Sequence, residues 1–246
     1  MTTKKYFQIN KKTDKKGEIF IYGDIVSEEW FANEVTAPGF KKQLDELGNV
    51  SEIDVHINSS GGNVFEGHAI YNMLKMHKAK INIYIDALAA SIASVIAMSG
   101  DTIFMHKNSF LMIHNSWIMT VGNAKELRDT ADLLDKTDEA SNQAYLDRAL
   151  NISEEELKEL LDAETWLTAS EALEKGFIDE ILEPNEIAAS ISDERYKLFK
   201  SVPSSITKQN NNVTKHLEEQ KLRRKILKEW ETLKFTLNFW GVNESQ

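Results

Sequence analysis

Apolar and polar residues alternate strictly in Ile53-Asp-Val-His-Ile57 and in Ile81-Asn-Ile-Tyr-Ile85, the pattern of strands with two unlike faces. The branched and aromatic run from Glu18 to Ile25 has the same texture. Further strands are predicted over residues 102–105 and 110–113, around a Lys107-Asn108 turn, and over 177–182. Between the strands the period changes to that of a helix. Pro38-Gly39 opens a short amphipathic helix that ends near Leu47, before Gly48-Asn49. In the next helix Phe65, Ala69, Met73 and Met76 form one apolar face, with Ile70 and Leu74 beside it. Residues 89–99 read as a helix of small residues packed all round, and 123–150 as a long charged helix. Ser153 with Glu156, and Thr168 with Glu171, are capping boxes that open two shorter helices, the second ending at Gly176. Strands alternating with helices imply right-handed crossovers and a largely parallel, buried sheet.

The two ends of the chain break this pattern. Residues 1–17 carry six lysines against one aspartate and are expected to form a flexible basic arm. Residues 18–184 are expected to form the folded domain, and 185–246 a linker followed by an amphipathic helical tail. In that tail Leu222, Ile226, Trp230, Leu233 and Leu237 make an apolar stripe on a highly charged helix. An isolated stripe needs a surface to bury against, whether its own domain, a second subunit or a partner.

Composition narrows the class. With 41% hydrophobic and 28% charged residues, wholesale disorder is excluded. The absence of cysteine removes disulfide scaffolds, thiolate metal sites and a cysteine nucleophile together. A net charge of −10 argues against nucleic-acid binding, which wants a basic face. The uncharged run from Ala87 to Gly100 is fourteen residues long, short of the roughly 20 that span a bilayer. The lysine-rich start has no apolar segment behind it, so a soluble cytoplasmic protein without a membrane partner is expected. No histidine or glutamate spacing matches a metal motif, and no metal, nucleotide or organic cofactor is implied.

Three loops that follow apolar strands could carry chemistry, because ligands of open α/β sheets gather beyond the carboxyl ends of the strands. The first, Asn58-Ser-Ser-Gly-Gly62, is either a tight turn or a turn that aims an amide N–H into a cleft as an oxyanion donor. The second carries Ser91 at a strand-to-helix junction. Ser91 is either a helix cap or a nucleophile at the positive end of a helix dipole, with the Ile92 amide free beside it. Ser94 and Ser99 lie deeper in the helix and are poorer nucleophile candidates. The third loop begins at His114, either structural or a general base. His106 reads as a surface residue beside Lys107, and His56, His68, His77 and His216 have no serine-bearing partner segment.

Taken together, Ile57-Asn-Ser-Ser-Gly-Gly62, Ala89-Ala-Ser91 and Met112-Ile-His114 resemble, in order and spacing, the signature regions of the Clp protease proteolytic-subunit family. Trp166-Leu-Thr-Ala-Ser-Glu-Ala172 with Gly176-Phe-Ile-Asp179 resembles the segment that follows the family's catalytic aspartate, so the likeness spans about residues 18–182. It implies a ClpP/crotonase α/β fold of repeated ββα units with a protruding handle helix. It further implies a serine endopeptidase acting on protein or peptide substrates, in a homo-oligomeric ring for which 123–150 is the handle. By this resemblance Ser91 is the nucleophile, His114 the general base, and the amides of Gly61 or Gly62 and Ile92 the oxyanion hole.

The acidic member departs from the family, since alignment on Trp166-Leu-Thr-Ala puts Glu164 where an aspartate is usual, with Asp162 as the alternative. Asn115-Ser116 replaces the family's Gln-Pro, and Trp117-Ile-Met-Thr-Val121 replaces its glycine-rich substrate-binding strand. With the extension past Pro184, these departures resemble the ClpP-like head maturation proteases of phages and prophages, which cleave capsid or scaffold proteins. A housekeeping subunit working with a Clp ATPase, a crotonase-type acyl-CoA enzyme, and an assembly scaffold with a decayed site are the alternatives.

Overall fold

In the computed structural model, residues 7–208 are described apart from 12, 14, 29–33, 150, 188 and 192. In chain order they form β1 (Phe7–Lys11), β2 (Lys16–Ile21), α1 (Ala37–Glu46), β3 (Glu52–Ser59), α2 (Val64–Lys75), β4 (Lys80–Ala90) and α3 (Ile92–Ala97). Next come β5 (Thr102–His106), β6 (Phe110–Ile113), α4 (Ala124–Leu146), α5 (Glu154–Asp162), β7 (Thr165–Thr168), α6 (Ala169–Glu174) and β8 (Glu180–Leu182). Then β9 (Ser190–Ile191), α7 (Asp193–Tyr196) and β10 (Thr207–Lys208) follow. This is the mixed α/β architecture expected for the ClpP fold.

One eight-stranded sheet runs β1-β2-β3-β4-β5-β8, with β6 joined to β4 and β7 joined to β6. Its central pairings are parallel, as the alternation of elements requires, while β1–β2 and β6–β7 are antiparallel. Register explains the two faces. Ile19, Val55 and Ile83 lie in neighbouring positions, as do Ile21, Ile57 and Ile85, and all are fully buried against the helical side. One residue along, Phe20, His56, Tyr84 and Phe104 stack ring on ring across four strands, each pair 4.8 Å apart.

Several expectations shift. The basic arm is partly sheet: Phe7–Lys11 pairs with residues 17–21, because its sequence alternates Phe-Gln-Ile-Asn under the lysines. Helix α2 buries Gly67, Ile70 and Leu74, whereas Phe65 and Met76 are 65% and 82% exposed. Size did not decide that face: Gly67 is chosen because a Cβ there would lie 2.1 Å from Ile92. Ala89 and Ala90 are strand, not helix, and the helix begins only at Ile92. The strand expected over 177–182 is confined to Glu180–Leu182. The folded unit also outruns residue 184. Ala189, Ile191, Phe199 and Ile206 are buried in a second apolar cluster with Leu88, Ala90 and Met112, and the compact unit extends to Lys208. The amphipathic tail expected beyond residue 209 lies outside the described residues.

Candidate active site

Strand β4 is the element on which the site is built. Its first half pairs with β3 and β5, and its last residues, Leu88 to Ala90, pair with β6. The carboxyl ends of β3, β4 and β6 therefore converge, bringing Ser60 to Gly62, Ser91 and His114 together. Ser91 Oγ lies 2.8 Å from His114 Nε2, the distance of a hydroxyl donating to a neutral imidazole.

The junction that carries Ser91 is strained. Its φ is +55° and ψ −132°, a region that costs a non-glycine residue about 1–3 kcal/mol. Its neighbours hold it there: the Ser91 N–H donates to Met112 O at 3.0 Å, and its carbonyl accepts from Ser94 N–H at 2.9 Å and Ser94 Oγ at 2.5 Å. Ser91 occupies the N-cap position of α3 yet makes no side-chain capping bond. The capping alternative thus fails, and the hydroxyl is turned to the histidine. Ser94 is fully buried and committed to Ser91 O and Tyr145 OH, and Ser99 is also buried, so neither competes as a nucleophile.

The two glycines are there because no side chain fits. A Cβ on Gly61 (φ +89°) would lie 2.7 Å from both Ala90 O and Ser91 Cβ. On Gly62 (φ +155°) it would lie 1.8 Å from Ile25 O. The oxyanion assignment narrows here: the Gly61 N–H already donates to Ser59 Oγ at 3.1 Å, which removes Gly61 as a donor. The amides of Gly62 and Ile92 make no hydrogen bond among the described residues, and both residues line the cavity that holds Ser91 and His114. Ile92 is the first residue of α3, whose N–H has no partner within the helix.

His114 is mostly buried, and burial pushes its pKa below the usual 6.5. The nearby carboxylates of Glu164 and Asp138 oppose this by favouring the charged ring, while Arg195 and Lys200 add to the lowering. The result is an imidazole held neutral and ready to accept a proton.

The two acid candidates lie in different settings. Asp162 accepts from Asn115 Nδ2 at 2.6 Å in an exposed position. Glu164 is only 5% exposed, sits at φ +52° just past the end of α5, and exerts the largest charge effect on His114. Its Oε1 accepts the backbone N–H groups of Lys200 at 2.6 Å and Ser201 at 3.1 Å. Neither acid has a hydrogen bond to His114 among the described residues.

Sequence reasoning missed several residues around the site. Asp138, Ser141 and Tyr145 lie on one face of α4, at the i, i+3, i+7 spacing that would have flagged them. Asp138 accepts from the Ser116 N–H at 2.6 Å, and Ser141 and Tyr145 line the cavity. Phe199 packs edge-on against the His114 ring, and Arg195 reaches the cavity from α7. No local motif marks either one. His106, expected at the surface, is 18% exposed and bonds Glu183 O at 2.6 Å. Among the described residues no cluster of His, Asp or Glu could hold a metal ion, and no helix is long and apolar enough to cross a membrane.

Comparison with known proteins places the chain among relatives. The family model described as Clp protease matches residues 2–185. The ATP-dependent Clp protease proteolytic subunit of Lactococcus lactis subsp. lactis (strain IL1403) is 33% identical over 149 residues, 58% of this chain and 74% of the relative. The protein of the same name from Streptococcus equi subsp. equi (strain 4047) is 33% identical over 149 residues, 59% and 76% of the two chains. That from Streptococcus salivarius is 34% identical over 150 residues, 58% and 75%.

Proposed function

This chain belongs to the Clp protease family and is a serine-type peptidase, and we propose that it hydrolyses peptide bonds through Ser91, His114 and Glu164, with the Gly62 and Ile92 amides as oxyanion hole. The observation that carries this reading is the 2.8 Å contact of Ser91 Oγ with His114 Nε2 on a strained strand-to-helix turn. In the reaction the Ser91 hydroxyl passes its proton to Nε2 while Oγ bonds to the scissile carbonyl carbon, and the carbonyl oxygen takes up negative charge between the two amides. The imidazolium returns that proton to the leaving amine as the C–N bond breaks. Water, deprotonated by the same ring, then releases the acyl group.

The substrate is a protein, and the finer reading is a prophage head maturation protease that cuts capsid or scaffold proteins without an ATPase. Two features support it: Ala189, Ile191, Phe199 and Ile206, which lie outside the family match yet pack against the strands that lead to the site, and the exposed Trp117, Ile118, Met119 and Val121 in place of the family's glycine-rich strand. The relatives' names favour a second reading, a subunit serving a Clp ATPase. A homo-oligomeric ring follows from family membership, with α4 as its handle, and Leu127 and Leu133 stand half-exposed on that helix.

Intact-mass spectrometry with a fluorophosphonate tests the chemistry. One adduct at Ser91, absent in Ser91→Ala, supports it, and no adduct on folded protein overturns it in favour of a decayed scaffold. Cleavage of a purified capsid or scaffold protein at a rate that a Clp ATPase with ATP does not change supports the finer reading. A gain that depends on ATP transfers it to the second. Sedimentation that finds monomer alone at high concentration overturns the ring.

A further inference from the structure

Glu164 is an unusual residue to find buried at a left-handed position, where glycine is the ordinary choice after a helix. The strain persists only if something fixes the side chain. What fixes it is the backbone of residues 200 and 201, whose two N–H groups both donate to Oε1. The adjacent Phe199 packs edge-on against the His114 ring at 5.9 Å and against Trp166 at 5.5 Å. Three consecutive residues therefore touch both the acid and the base, and they lie beyond the family match, which ends at 185.

We propose that residues 199–201 are a positioning element of the active site, holding the Glu164 carboxylate beside His114 so that the imidazole keeps its working orientation. This rests on the reading of Ser91 and His114 as the catalytic pair. The geometry favours a permanent fixture over a releasable latch. Phe199 is 8% exposed and Ile206 4%, in an apolar cluster with Leu88, Ala90 and Met112, on the strands that lead into Ser91 and His114. Release would expose that cluster and leave a buried carboxylate without its donors. Among the described residues neither Glu164 Oε2 nor His114 Nδ1 has a hydrogen-bond partner, and contacts between catalytic groups commonly tighten only when substrate binds. The charged groups around the ring are Glu164, Asp138, Arg195 and Lys200.

The test uses the full chain. Ser201→Pro deletes one of the two N–H donors, and Phe199→Leu removes the ring while keeping an apolar side chain. In each variant kcat is expected to fall, by about 10- to 100-fold for Ser201→Pro and a few-fold for Phe199→Leu, with KM nearly unchanged, as for loss of an interaction that acts in the transition state. The His114 titration, followed by NMR of the imidazole, moves to lower pH in Ser201→Pro as the carboxylate loosens. In a Glu164→Gln background both effects disappear. Unchanged or increased kcat overturns the proposal, as does an equal fall in the Glu164→Gln background, which marks a merely structural role. If Ser201→Pro does not fold, Phe199→Leu decides: an unaltered kcat and an unaltered imidazole signal overturn the proposal. Failure of wild-type protein to label at Ser91 defeats the peptidase reading instead, while the imidazole titration still reports on the clamp.

Discussion

The corner that carries Ser91, the proposed nucleophile, and the corner that carries Glu164, the proposed acid, are made in opposite ways. Ser91 sits between β4 and α3, and its hydrogen bonds come from Met112 and Ser94, all within a stretch of 22 residues from 91 to 112. Glu164 is fixed by Lys200 and Ser201, which are 36 and 37 residues further along. Both residues have positive φ, so both corners hold strain. The first corner holds it with parallel strand pairing and close-packed small residues, and the second with two hydrogen bonds from a segment that returns to the site. A site made from adjacent strand ends tolerates little change, whereas one closed by a distant segment can be altered there without disturbing the sheet.

The largest effect is expected at the proposed nucleophile. Ser91→Ala should lower peptide hydrolysis by about 10⁴-fold or more while thermal unfolding stays close to wild type. The backbone bonds that hold the turn do not involve Oγ. Loss of the fold in this variant would mean that the hydroxyl is structural, contrary to the absence of a capping bond.

Next in size is the acid. Glu164→Gln keeps the shape and still offers a carbonyl oxygen to the two N–H donors, but removes the charge. We expect kcat to fall by about 10- to 1,000-fold, measured with a peptide ester to separate chemistry from substrate docking. The corresponding change at the exposed alternative, Asp162→Asn, should leave kcat within a few-fold of wild type, because its partner is Asn115. A larger effect at Asp162 than at Glu164 would reverse the assignment.

This contrast also explains what could be seen in the chain beforehand. The strands with inward Ile and Val were readable because period-2 alternation is imposed by the pleat: Ile19 and Ile21 of β2, Ile53, Val55 and Ile57 of β3, and Ile81, Ile83 and Ile85 of β4 obey it, up to the register shift before Ala89. That Ser91 and His114 lie close together was readable because each follows a strand within a short motif. Which glycine amide was free was not readable, since it depends on Ser59 Oγ capturing Gly61. The buried face of α2 was misjudged because Gly67 matters for the approach of Ile92, a long-range steric fact with no local trace. The clamp on Glu164 left none at all: main-chain N–H groups belong to every residue, so their use as donors has no residue signature.

A smaller effect concerns pH. Because burial places the His114 pKa below 6.5, the neutral base persists on the acid side of that value. The acid limb of kcat/KM should therefore have its midpoint below 6.5 and fall away only as pH drops through the folded-state pKa. In Glu164→Gln the residual activity should show this limb at still lower pH, since a charge that favours imidazolium is gone. The same sign governs stability: with the folded pKa depressed, this group's contribution is full above the unfolded value near 6.5 and is lost as pH falls through the folded value. An acid limb above 6.5 would contradict the burial of the ring.

The smallest effect probes how the nucleophile turn is supported from below. Ser94 has one hydroxyl proton, and Oγ lies 2.5 Å from Ser91 O, which can only accept. The 2.6 Å contact between Ser94 Oγ and Tyr145 OH must then be donated by the phenol. Burial pushes the Tyr145 pKa well above its usual value, so that proton is always present. Tyr145→Phe deletes this donor alone and should cost about 1 kcal/mol of stability, read as a lower denaturant midpoint with unchanged slope. Activity should drop by no more than a few-fold, because the Ser94 bond to Ser91 O survives. A loss of activity comparable to Glu164→Gln would mean that the nucleophile corner also depends on a distant element, here the C-terminal end of α4, and the two corners would no longer differ in kind.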